Sequence, residues 1–168
     1  MPWVTESELV SIAPGDRGYV AAEMSAFLVA WLSDLVCPVL NRPTAASLIG
    51  PALRREQWMS LAREVGVRVL PETRCVRLGK VAAAAPLAAC TVWVVGKHCL
   101  GRAAPVLLQQ SRKLAAAANA AMLGVSFDDA GPYAAMVETL IYPDLDHEEL
   151  TDAMLNYVLA RDRPEASN

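Results

Sequence analysis

No run of lysine or arginine occurs in this sequence, and its 15 basic residues are outnumbered by 18 acidic ones, for a formal charge of −3. Binding to a phosphate backbone needs a basic patch, so nucleic acid is excluded as an expected partner. Glycine is sparse as well, nine in 168 residues, and the stretch from Cys75 to Cys90, with one glycine and one lysine, cannot form a phosphate-cradling loop. The four cysteines, Cys37, Cys75, Cys90 and Cys99, form no C-x-x-C pair and have no suitably spaced histidine. That excludes the usual zinc sites and redox motifs, leaves buried reduced thiols as the expectation, and implies no metal or other cofactor. The most apolar stretch, Val81 to Val95, is shorter than the roughly 20 residues that span a bilayer, and it contains Pro86. The start, MPWVTESELV, carries acids where a signal peptide needs basic residues. A cytoplasmic protein that makes no membrane contact is the expectation.

What is abundant is apolar surface. Hydrophobic residues make up 54% of the chain and the mean hydropathy is +0.28, much of it from alanine. An excess of this kind implies a face covered by another polypeptide, in a homo- or hetero-oligomer. The length fits a single domain over residues 1–168.

Taken in order, residues 1–15 form an N-terminal segment punctuated by Pro14-Gly15. Val20, Met24, Phe27, Leu28, Trp31, Leu32 and Leu35 then recur at spacings of three and four. This spacing predicts a helix whose stripe faces the core, with a dimer seam as the alternative. Cys37 to Leu40 reads as a short strand with a loop at its carboxyl end, where open α/β sheets place ligands. Asn41, Arg42, Arg54 and Arg55 are the candidate ligand or partner residues there; the plainer alternative has Asn41 tying the turn and the arginines solvated. Pro51 to Val65 reads as a helix with Trp58, Leu61, Ala62 and Val65 inward, stopped by Gly66. Val67 to Leu70 reads as another strand. Helix, strand, helix, strand with short links is the pattern of a parallel sheet.

The second half opens with Thr91 to Val95 as a strand, Gly96-Lys97 as a turn and His98 to Leu100 as a returning strand. Lys97, His98 and Arg102 are candidates for anion binding beside the next helix, predicted from Ala104 to Met122 and ended by Gly124. Val125 and Phe127 alternate with polar neighbours, Asp129-Ala130-Gly131-Pro132 is turn chemistry, and Tyr133 to Tyr142 is a second extended run. Glu138 falls in the middle of that run, on the face it shares with Ala134, Met136, Leu140 and Tyr142, because strand side chains alternate. The last helix has Asp146 as its N-cap, Glu149 three residues on, and Leu150, Ala153, Met154, Tyr157 and Val158 inward.

The hairpin and closing helix, GVSFDDAGPYAAMVETLIYPDL and onward, resemble the end of an ATP-grasp ligase of the glutathione-synthetase and peptide-maturase type. The resemblance implies that the family's magnesium ligands fall on Ser126, Glu138 and Leu140. Only Glu138 retains a ligating group suited to magnesium, so the metal site is vestigial and no catalytic or cofactor-binding residue is assigned. It further implies a truncated ATP-grasp-like α/β fold of short, mostly parallel strands covered by helices, with a C-terminal hairpin and helix. In that frame residues 16–76 are a half preceding the ATP-grasp module, 77–90 an alanine-rich link in place of the ATP-binding insert, 91–160 a remnant of its C-terminal half, and 161–168 a flexible tail. The implied role is that of a pseudoenzyme, an accessory subunit for an intact ligase or a peptide-modifying complex. The alternatives are a small-ligand regulatory domain using the loop from Asn41 to Ser47, and a small enzyme using Glu138 with Asp128 or Asp129.

Overall fold

The computed structural model describes residues 4–70, 88–143 and 147–161. A single 3-10 turn at Glu6–Glu8 precedes α1 (Arg17–Asp34) and α2 (Arg55–Glu64). There follow β1 (Cys90–Val95), β2 (His98–Leu100), α3 (Pro105–Ala117), β3 (Met122–Phe127), β4 (Met136–Leu140) and α4 (Glu148–Arg161).

Among the described residues four strands form one sheet in the order β2-β1-β3-β4, and each of its neighbouring pairs is antiparallel. The expected mostly parallel sheet is therefore corrected. Cys37 to Leu40 forms no strand, and Pro38 lacks the N–H that a ladder needs. Among the described residues, Val67 to Leu70 contributes one parallel bridge, Val69 to Met136. The strands that build the sheet come instead from two hairpins in the second half. The proposed link over 77–90 runs into β1 at Cys90; its residues 77–87, the expected Asp146 cap and nearly all of the 161–168 tail lie outside the described residues.

One face of the sheet presents Val92, Val94, Leu123, Val125 and Phe127 to Trp58, Met59 and Ala62 of α2 and to Leu107, Leu114 and Ala115 of α3. This is the main core. The other face carries Val95 and Met122 against Leu150, flanked by Trp93, Leu100, Met154 and Tyr157, so α4 covers its β1–β2 half. Gly96 makes the β1–β2 turn at φ +58°, and an added Cβ there would meet the Tyr157 ring at 2.6 Å.

Two helix ends share one device. Beyond α2, Gly66 lies at φ +81°, its N–H donating to Arg63 O and the Val67 N–H donating to Ala62 O. Beyond α3 the same pair of bonds runs from Asn119 to Ala116 and from Ala120 to Ala115, with Asn119 at φ +52°. Asn119, rather than Gly124, therefore stops this helix. Met122 is already strand, and Gly124 lies inside β3 beneath the Trp93 ring.

The stripe on α1 does not face the core. Apolar residues run around the whole helix, so no single stripe dictates which side is buried. The buried positions are the small Ala21 and Ser25, whose hydroxyl donates to Ala21 O and accepts the Val4 N–H. Met24, Phe27 and Trp31 remain 45%, 68% and 53% exposed.

Candidate functional site

β4 is an edge strand with an irregularity that decides where its side chains go. Ser126 faces Glu138, yet Phe127 faces Met136, so Val137 is the extra residue of a bulge. Regular alternation would keep Met136 and Glu138 on one face. The bulge instead turns Met136 into the core beside Phe127 and leaves Glu138 on the opposite face, next to Ser126.

A row of polar groups results. Thr91 faces Ser126 across β1 and β3, with their hydroxyls 3.0 Å apart, and Glu138 continues the row on β4. Ser126 is buried and satisfied by Thr91; Glu138 is exposed. Leu140 stands opposite Gly124 in the same register. Carboxylate, alcohol and alkyl groups in this row do not supply the several hard oxygens that magnesium requires. Among the described residues, no group of three His, Cys, Asp or Glu side chains is placed to hold a metal ion.

Along the outer edge of β4, past the bridge that Val69 makes to Met136, lies a groove of about 390 Å³. Leu53, Arg55, Trp58 and Met59 line one wall, and Glu138, Leu140 and Tyr142 line the other. Trp58 and Met59 are buried, Tyr142 is exposed, and the floor is apolar. Of the sequence candidates, only Arg55 and Glu138 are brought into this groove together. Leu53 and Tyr142 carried no signal of their own in the sequence; Trp58 read only as core.

The remaining candidates are dispersed. Asn41 is buried at φ +57° and bonds the Met122 backbone twice. Arg42 donates to Ser33 O at 2.9 Å and Leu35 O at 3.1 Å, capping the carboxyl end of α1 with positive charge. Arg54 is the residue before α2, where its backbone N–H donates to the Gln57 side chain at 2.8 Å. Lys97 and His98 sit at the tip of the β1–β2 hairpin, whereas Arg102 follows its far end, about 13 Å away along an extended chain. They form no common anion site. Asp128 accepts the Ala135 N–H and Asp129 accepts the Ala130 N–H, each at 2.7 Å, so both carboxylates serve the turn between β3 and β4.

Cys75 lies outside the described residues, and the three described thiols differ from expectation. Cys37 is exposed, and Cys90 and Cys99 are half-buried. Cys90 donates to Asp129 O at 3.2 Å. Its desolvation, with added repulsion from Asp129 and Asp128, raises its pKa above the ordinary thiol value. Such a thiol is a poor nucleophile.

The chain matches no known family model, no curated protein and no solved structure. Its class is defined by its own geometry: the described residues form a mixed α/β arrangement with a four-stranded antiparallel sheet and four α-helices. No helix among the described residues is long and apolar enough to cross a membrane.

Proposed function

We propose that this chain is a non-catalytic binding protein whose groove beside β4 takes an extended segment of a partner polypeptide. The observation that carries this reading is the groove itself: an apolar floor, a basic residue on one wall, an acidic one on the other, and alongside it the stretch of β4 that follows the Val69–Met136 bridge. Extended peptides bind sheet edges through main-chain hydrogen bonds while neighbouring pockets select their side chains. A buried aromatic such as Trp58 is the type of residue on which binding energy concentrates.

In this reading the β3–β4 hairpin is an ATP-grasp-type scaffold that has lost its ligand set. The cross-strand register of Ser126 and Glu138 supports that ancestry, because it sets two of the three family positions side by side. The partner would then be an intact ligase, or the peptide such a ligase modifies, met in the cytoplasm. The small-ligand alternative has less support, since the side chains of Asn41 and Arg42 are committed to backbone partners. The enzyme alternative is weakened in the same way by the turn bonds of Asp128 and Asp129.

The test is mild affinity purification of the tagged chain from its native host, with mass spectrometry of stoichiometric companions. One companion should recur, and Leu53→Asp should abolish its recovery. Glu138→Gln, at an exposed position, should weaken it by about threefold or less. Recovery of the chain alone, or a companion indifferent to Leu53→Asp, would sink the reading.

A further inference from the structure

The exposed ridge of α1 is arranged as a palindrome. Arg17, Val20, Met24, Phe27, Trp31 and Asp34 follow one another at spacings of three, four, three, four and three, which are the a and d positions of a heptad. Met24, Phe27, Trp31 and Asp34 are exposed, and Arg17 and Val20 are half-buried. The helix docks on its own chain through Ala21 and Ser25, so the ridge is turned to solvent. Reversing the order about the point between Ser25 and Ala26 superimposes Arg17 on Asp34, Val20 on Trp31 and Met24 on Phe27.

We infer that α1 pairs antiparallel with α1 of a second copy of this chain, across a two-fold axis passing between Ser25 and Ala26. In an antiparallel coiled coil each a residue shares a layer with a d residue of its partner. The layers are then Met24 on Phe27 at the centre, Val20 on Trp31 outside them, and Arg17 on Asp34 at both ends. Large residues meet smaller or flexible ones, and thioether sulfur meets an aromatic ring. The charges choose the orientation. A parallel pair would stack arginine on arginine and aspartate on aspartate, whereas the antiparallel pair makes two complementary contacts. Arg17 is held at the head of the helix by bonds from Nε to Ile12 O and from Nη2 to Val10 O, which leaves Nη1 for the carboxylate.

A pairing of this kind is isologous and closes on itself, so it gives a dimer rather than a fibre. Met24, Phe27 and Trp31 together expose roughly 350 Å², a little under half of the roughly 800 Å² per partner that a standard interface buries. The outer layers and flanking side chains add to that. The dimer is therefore one that dissociates on dilution through the micromolar range. A lipid surface fits the ridge less well, because Glu23 and Asp34 outweigh Arg17 and interfacial helices carry lysine and arginine on their polar face.

The experiment is analytical ultracentrifugation of the full chain over a concentration series. Wild type should pass from monomer to dimer, and Phe27→Asp, at an exposed site that leaves the circular dichroism unchanged, should weaken association about 100-fold or more. Arg17→Asp alone and Asp34→Arg alone should each be impaired, and their equimolar mixture should recover association as a heterodimer in which every end layer is again complementary. Wild type that stays monomeric up to about 100 µM overturns the proposal, since mass action would populate the dimer there. So does a dimer unaffected by Phe27→Asp, a mixture no better than its components, or binding to phosphatidylserine vesicles by a chain that never dimerises.

Discussion

Asn41 closes its side-chain amide onto the backbone of Met122 from both sides, Nδ2 donating to the carbonyl at 2.8 Å and Oδ1 accepting the N–H at 2.9 Å. The contact joins positions far apart in the chain and is buried. Asn41 adopts a left-handed conformation to make it, and Gly50 packs against its Cβ.

Replacing Asn41 by leucine should cost roughly 2–4 kcal/mol, because it leaves two buried backbone groups of Met122 without partners. Gly50→Ala should also destabilise, by roughly 2 kcal/mol or more: the new Cβ would lie 2.6 Å from that of Asn41, at a φ of +104°. Urea unfolding followed by circular dichroism measures both. An unchanged midpoint in Asn41→Leu would contradict the structural role.

Gly124 gives the Trp93 ring its seat. A Cβ on Gly124 would come within 2.8 Å of that ring, so Gly124→Val should displace the indole and cost roughly 1–3 kcal/mol. The displaced ring should emit at longer wavelength, and a Trp93→Phe control assigns the change. Unshifted emission with full stability would show that the ring lies elsewhere.

Arg42→Met should loosen the last turn of α1 while sparing the sheet. The substitution removes two charge-assisted bonds to helix-terminal carbonyls at an exposed site, worth roughly 0.5–1 kcal/mol. Amide exchange should accelerate from about Ala30 to Asp34 and stay unchanged in β3.

Cysteine chemistry should separate by position. Of the described thiols, exposed Cys37 should react ahead of Cys90 with iodoacetamide near neutral pH, because the raised pKa of Cys90 keeps it protonated. The linkage has a definite sign. A thiol whose folded pKa is raised contributes stability that is complete below the unfolded thiol range of about 8.5, and loses it as pH rises through the folded pKa. Cys90→Ala should flatten that alkaline decline; an identical alkaline slope in wild type and variant would remove Cys90 as its cause.

Local signals in the sequence marked what local physics determines. β-Branched runs bounded by turn residues located both hairpins, and Gly66 located the end of α2. Partner choice between strands is a different matter. β1 lies beside β3 through antiparallel bonds made across α3, and nothing within either strand encodes that neighbour. The order of helices and strands therefore pointed to a parallel sheet that the chain does not build. The bulge at Val137 was equally silent, and it moved Met136 away from Glu138. On α1 the apolar spacing was visible but ambiguous, since a core stripe and an intermolecular seam share one periodicity. Around the candidate groove, Glu138 stood out because it interrupts an apolar strand, whereas Leu53 and Tyr142 became relevant only once α2 and β4 were placed side by side.

Asn41 and Arg42 are consecutive, and they grip different bodies: one holds the first residue of β3, the other the final carbonyls of α1. Together they work as a mechanical joint. A load applied to α1 is delivered to the sheet through two adjacent side chains, so pulling on the helix should strain the start of β3 before it reaches the edge strand or the groove beside it.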